Sequence, residues 1–213
     1  MKNYVVIWDW DNTLADTFEG WFRALTDLCA RYNRPMLSRE NLLKAIGGEA
    51  TTFWNDCFTD DNRQEAIDFY YDRSAHHMQE SARLFEDTVR ALAWLKQHKI
   101  PQIIISNQMQ WILDIECERL NIDTYFRKIV GRTDALKKPS MAFLNRALEG
   151  ILYDKCLVVG DGLADMEMAK NLNGFGLLVR QMPPTPGMIY DKHVYNLNEA
   201  LNFFENFFER GKQ

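Results

Sequence analysis

Two aspartates stand two residues apart, Asp9 and Asp11, directly after the apolar run Tyr4–Trp8. On an extended exit from a strand, alternate side chains share a side, so both carboxylates can face one point while Trp10 faces elsewhere. Two like charges that close repel unless one is protonated or a cation lies between them. An all-oxygen pair of this kind suits a hard divalent ion such as Mg2+. A further acidic element, Gly160-Asp161-Gly162-Leu163-Ala164-Asp165, sets Asp161 at the end of another apolar run and Asp165 one helical turn later, a separation at which both can face one ion. Ser106 and Asn107 close a third run, where the Ser106 hydroxyl and a nearby backbone N–H suit a phosphoryl oxygen. Lys138 precedes Pro139. A helix opening at Pro139 would add the positive end of its dipole to the lysine charge, a good arrangement for an anion.

Each of these pieces alone has a plainer reading. An Asp-x-Asp is commonly a solvated turn, a strand-end Ser a helix cap, and a Lys-Pro pair a surface loop. Together, four strand-end loops each deliver a polar type that phosphoryl transfer uses: a nucleophile with an acid, a hydroxyl, a cation and metal carboxylates.

The elements that must hold these loops can be read from the same sequence. Tyr4–Trp8, Ile100–Ile105, Cys156–Val159 and Phe175–Val179 are short runs rich in β-branched and aromatic residues, expected as buried strands. Helical spacing recurs between them, in Val89, Leu92, Ala93 and Lys96, and in Met141, Leu144 and Leu148 before Gly150. Strands alternating with helices predict an α/β fold, a Rossmann-like doubly wound parallel sheet with ligands beyond the strands' carboxyl ends. Residues 16–85 read differently. They hold no convincing strand, but helical segments over roughly 16–33, 38–46, 50–58 and 61–79, broken at Pro35, Gly47–Gly48 and Asp60–Asp61. The expected organisation is an α/β core from residues 1–15 and 86–213 with an all-helical insertion at 16–85. The last segment, with Leu197, Leu201, Phe204 and Phe208 behind an Asn196 cap, is expected as a core-packing helix.

Composition narrows the partners. The 213-residue chain is 46% hydrophobic and carries a formal charge of −5, with no basic run beyond a pair such as Lys137–Lys138. That pattern points away from nucleic acid and anionic membrane. Scattered cysteines, Cys29, Cys57, Cys117 and Cys156, have neither disulfide-framework nor zinc spacing. With no apolar stretch of signal or membrane-span length, the expectation is a cytoplasmic protein, monomer or homodimer, acting on a small molecule. His76–His77 reads as ordinary surface. Gly47–Gly48 reads either as a helix stop or as a flexible turn reaching the substrate, and Trp10 is a second candidate for lining the pocket.

At these residues the sequence resembles the haloacid dehalogenase superfamily, whose four motifs run in this order: Asp9-Trp10-Asp11-Asn12-Thr13-Leu14, Ile105-Ser106-Asn107, Lys138-Pro139 and Gly160-Asp161-Gly162-Leu163-Ala164-Asp165. The likeness spans residue 4 to about 180, and the helical insertion is similar to the family's C1-type cap, which closes over the site and selects substrates. The resemblance implies a Mg2+-dependent phosphatase in which Asp9 is the nucleophile and Asp11 the acid and base. It implies Mg2+ on Asp9, the main-chain carbonyl of Asp11 and Asp161, with Asp165 direct or through water. Ser106, Asn107 and Lys138 would bind the phosphoryl group, and Thr13 and Asn107 would shape the loops. Two positions depart from the common pattern. Asn12 replaces a frequent Gly, and Asn tolerates positive φ next best; Gly162 stands where Ser or Thr is commoner. An Asp at position 11 argues against a dehalogenase. A phosphomutase of the same fold and a non-catalytic binding protein are the other readings, and the cap side chains that decide the substrate spell out no particular metabolite.

Overall fold

The computed structural model describes residues 3–36, 38–40, 42, 58, 60–133 and 135–210. The chain divides into two compact units, one of Met1–Ala15 with Leu84–Gln213 and one of Asp16–Arg83. The first is built on a six-stranded sheet in the order β5-β4-β1-β6-β7-β8. Its strands are β1 (Tyr4–Trp8), β4 (Gln102–Met109), β5 (Lys128–Arg132), β6 (Lys155–Gly160), β7 (Phe175–Val179) and β8 (Lys192–Val194), and every pairing is parallel.

The alternation of side chains along β1 explains why the sheet needs cover on both faces. Val6 and Trp8 point into one apolar cluster, packed by α3 (Thr88–Gln97), α4 (Gln110–Arg119) and α7 (Leu197–Arg210). Val5 and Ile7 point into the other, packed by α5 (Met141–Leu148) and α6 (Leu163–Asn171). From β1 the chain builds outward through β4 and β5 on one side, then returns to build β6, β7 and β8 on the other. The crevice at such a reversal, beyond the strand carboxyl ends, is the usual ligand position in open α/β sheets.

Several elements differ from the sequence reading. β5 and β8 were not expected: β5 lacks a strong apolar run, and β8 is a three-residue edge strand. β4 continues past Ser106 to Met109, with an irregularity in its pairing between Ile105 and Met109. Helix α5 starts at Met141, not at Pro139, because Pro139 lies in a turn closed by the Ser140 N–H donating to the Lys137 carbonyl (3.0 Å). The expected cap of α7 is present, with Asn196 Oδ1 accepting from Glu199 N–H at 2.9 Å.

The second unit contains α1 (Phe18–Arg31) and α2 (Asp60–Ser81), which share an apolar cluster around Leu25, Leu28, Phe58 and Ala66. Two short strands, β2 (Ala15–Asp16) and β3 (Arg83–Leu84), pair where the chain crosses between the units. The segments 38–46 and 50–58 fall largely outside the described residues, as do Gly47 and Gly48 entirely. His77 corrects the surface expectation: its Nε2 lies 2.7 Å from Asp27 Oδ2, which also accepts from Arg73 Nε at 2.7 Å. Among the described residues no helix is long and apolar enough to cross a membrane.

Candidate active site at the strand tips

The loop after β1 folds around one carbonyl. Trp10 O accepts from the N–H groups of Thr13, Leu14 and Ala15 at 3.3, 3.0 and 3.1 Å. Asn12 takes positive φ (56°), the conformation that Gly would adopt freely and Asn tolerates. This tight turn holds Asp9 and Asp11 as buried side chains, 6% and 8% exposed. Ser106, fully buried in the second half of β4 where its pairing becomes irregular, donates from Oγ toward Asp11 Oδ2 at 3.4 Å and accepts from Gln108 N–H at 3.0 Å.

Lys138 is the buried lysine, whereas its neighbour Lys137 is exposed. Its backbone is held from two sides: Lys138 N–H donates to Asn107 Oδ1 at 2.7 Å, and Asn171 Nδ2 donates to Pro139 O at 3.0 Å. Its ammonium reaches Asp9 Oδ1 and Asp165 Oδ1, both at 2.6 Å. Asp165, in the first turn of α6, uses its second oxygen to accept from Gly162 N–H at 3.1 Å. Gly160 is required here because a Cβ on it would meet the Asp165 carboxyl carbon at 2.3 Å. Asp9, Asp161 and Asp165 each offer an oxygen, and these lie within 4.8 Å of one another. The structure therefore gathers Asp9, Asp11, Ser106, Asn107, Lys138, Asp161 and Asp165 from four loops at one end of the sheet.

The sequence profile of the haloacid dehalogenase-like hydrolases matches residues 6–177. The chain belongs to that family. It is 25% identical over 180 residues to phosphoglycolate phosphatase 1 of Pseudomonas aeruginosa, an alignment covering 78% of this chain and 65% of that relative. The chain thus spans slightly less than two thirds of that protein's length. In structure it is similar to a haloacid dehalogenase-like hydrolase from Streptococcus pneumoniae, with a TM-score of 0.83 at 20% identity over 95% of this chain and 98% of the other. It also resembles a putative β-phosphoglucomutase from Thermotoga maritima, with a TM-score of 0.71 at 18% identity over 95% and 99% of the two chains.

Within this haloacid dehalogenase-like hydrolase the electrostatics of the cluster are those of a site short of positive charge. Burial, reinforced by Asp165, pushes the Asp9 carboxyl well above its ordinary range despite Lys138 beside it. Burial and then Asp165 push Asp161 up to about 7. Burial opposes the Lys138 charge, but Asp165 and Asp9 outweigh it and hold the ammonium above its ordinary value. One ammonium cannot neutralise three carboxylates, so the donor set, all oxygen and clustered within reach of one point, fits a hard divalent cation. No hydrogen bond from the described residues reaches Asp9 Oδ2 or the Asp161 carboxylate.

Two positions contribute what the sequence reading did not assign. Arg180, at the end of β7, directs Nη1 toward Asp161 O at 3.4 Å, and its charge draws the Asp161 carboxyl down, against burial and Asp165. Trp10, a candidate for lining the pocket, is instead fully buried in the core and donates its indole N–H to Glu116. It therefore supports the Asp9–Asp11 loop from within and presents no open face to a substrate. Glu116 lies on the buried face of α4, beside Ile112, Leu113 and Cys117, but apolar Trp111 and Ile115 on the exposed side leave the sequence without a distinct apolar face to reveal it.

Proposed function

We propose that this chain is a Mg2+-dependent phosphatase that hydrolyses a small phosphorylated metabolite through an aspartyl phosphate on Asp9. The observation that carries the reading is the Lys138 ammonium held 2.6 Å from both Asp9 and Asp165, with Asp161 completing the acidic cluster. Asp9 attacks phosphorus in line, and the bond to the leaving alkoxide breaks as an acyl phosphate forms, dividing one hard displacement into two easier ones. The Asp11 carboxyl gives its proton to that alkoxide. As a carboxylate it then takes a proton from the water that attacks the acyl phosphate, so that inorganic phosphate leaves and Asp9 is restored. Ser106 Oγ–H and Lys138 Nζ donate to the transferring oxygens, and Asn107 keeps the Lys138 backbone in place. Asp9, the Asp11 carbonyl and Asp161, with Asp165 direct or through water, would hold Mg2+, which when bound supplies charge neutralisation at the phosphoryl group.

The helical unit is assigned the choice of substrate, and the relatives' name makes 2-phosphoglycolate the first metabolite to test. The assay is phosphate release from p-nitrophenyl phosphate and a metabolite-phosphate panel, with and without Mg2+. Activity only with Mg2+, lost in Asp9→Asn, is the expected result. An inactive wild type, or Asp9→Asn as active as wild type, would defeat the reading. The fold likeness to a mutase gives a second reading, distinguished by transfer of phosphate between sugar hydroxyls in place of its release.

A further inference from the structure

We propose that Glu116 is a positioning residue for this site: through the Trp10 indole it fixes the loop that presents Asp9 and Asp11, without itself touching the reacting atoms. The inference rests on the phosphatase reading for its catalytic consequence, though not for its structural one.

Glu116 lies on α4 among Ile112, Leu113 and Cys117 and is 1% exposed. A carboxyl at such a position loses its hydration, a cost that a Leu would avoid. Its compensation is narrow: Oε2 accepts the Trp10 indole N–H, while Oε1 is buried with no hydrogen-bond partner. A group retained there on packing grounds alone has no reason to be acidic. Trp10, for its part, is the residue between the two aspartates, and its carbonyl gathers the amides of Thr13, Leu14 and Ala15. The side chain anchored by Glu116 and the carbonyl that organises the turn belong to the same residue, so a shift of the Trp10 backbone on loss of the anchor would carry the flanking carboxylates with it.

The anchor also joins two strand tips. Helix α4 begins directly after β4, the strand whose Ser106 reaches Asp11. The first and second motifs are thereby braced twice, by Ser106 at Asp11 and by Glu116 at Trp10. Burial, with the Asp11 charge adding to it, raises the Glu116 carboxyl to about 8. A glutamine is therefore close to it in both charge and shape, and keeps the acceptor for the indole.

The test compares Glu116→Gln, Glu116→Leu and Trp10→Phe in the full chain, each checked by circular dichroism and thermal melting. With Mg2+ and p-nitrophenyl phosphate, Glu116→Leu should lower kcat by about 10-fold to 100-fold with KM little changed, the scale of a small misplacement of reacting groups. Glu116→Gln should stay within about threefold of wild type, and the Trp10→Phe/Glu116→Leu double variant should be no worse than the poorer single variant, as expected for partners in one contact. A readout independent of turnover is the Trp10 indole N–H resonance in 15N-labelled protein. It should be protected from exchange in wild type and Glu116→Gln and lose protection in Glu116→Leu, with the Asn12 and Leu14 amides shifting only in the latter. An exposed Trp10 indole, unmoved loop amides in Glu116→Leu, or a Gln variant as impaired as the Leu variant would overturn the inference. A wild type that releases no phosphate would overturn the phosphatase reading, and the resonance measurements would still decide the role of Glu116.

Discussion

Two clusters of charge, one in each unit, look alike on paper and differ in how their carboxylates are balanced. At the strand tips, Asp9 and Asp165 share the ammonium of Lys138, and Asp161 adds a third carboxyl to the group. Between helices α1 and α2, the carboxylate of Asp27 has two basic partners, Arg73 and His77. Charges that only brace a structure tend to come balanced, because burying an uncompensated one is costly. The helical cluster meets that condition and needs nothing more. The strand-tip cluster does not: its carboxyls are pushed toward protonation, and a divalent cation is the partner that would keep them ionised. The contrast separates a brace from a site without reference to any family.

The sharpest way to break the comparison is to remove the central cation from each cluster. Lys138→Met should lower kcat for phosphate release by at least about 10²-fold, the scale of losing a preorganised charge at a developing anion. Arg73→Met should leave kcat within about twofold. Steady-state kinetics on the two variants checks this, and similar losses in both would erase the distinction. A smaller effect should appear on adding metal. Saturation at about 100 times the dissociation constant stabilises by about 2.7 kcal/mol. At roughly 2–4 °C per kcal/mol for a chain of this size, the midpoint by differential scanning fluorimetry should rise by roughly 5–10 °C with Mg2+. Asp161→Asn should abolish most of that rise and Asp27→Asn none of it.

Acidity should move the two clusters in opposite directions. In the unfolded chain an aspartate titrates near 3.8, whereas folded, metal-free Asp161 keeps its proton up to about 7. Between those values the folded state binds more protons than the unfolded one, so metal-free stability rises as pH falls from about 7 toward about 4. For Asp27 burial works upward, but hydrogen bonds from His77 and Arg73 prevail and hold its carboxyl below the ordinary 3.8. Its contribution is complete above that pH and fades only on stronger acidification. Melting scans in EDTA should therefore show a midpoint several degrees higher at pH 6 than at pH 8, with Mg2+ reducing or reversing the trend. A midpoint that falls as the pH is lowered from 8 to 6 in EDTA would show that the carboxylates are already neutralised by the protein.

The difference between the units also explains what could be read in advance. Tyr4–Trp8 and Phe175–Val179 were legible to the residue, because central strands of a parallel sheet are apolar on both faces and end abruptly in polar loops. β5 was not, since its residues are only partly buried and lack that contrast. The site was legible because its members follow apolar runs at one end of the sheet, and topology carries those ends to one place. Helices offer no such gathering rule. His77 and Asp27 meet only because α1 and α2 pack with those positions facing, a fact that neither segment encodes alone. Glu116 was not singled out, because apolar residues lie all round its helix and its partner is 106 positions away.

The finest distinction lies in the helical cluster itself. Asp27 is about one third exposed on its side chain, so solvent screens its ion pairs and limits their value to about 1 kcal/mol. Asp27→Asn keeps an oxygen for Arg73 or His77 and loses the charge, so urea denaturation should register a loss of about 1 kcal/mol or less. Mg2+-dependent turnover should be unaltered, because no reacting group depends on this contact. A variant that folds with wild-type stability would make the helical cluster incidental. One that loses turnover while keeping stability would mean that the balanced cluster also serves the chemistry, and charge balance would no longer tell a brace from a site.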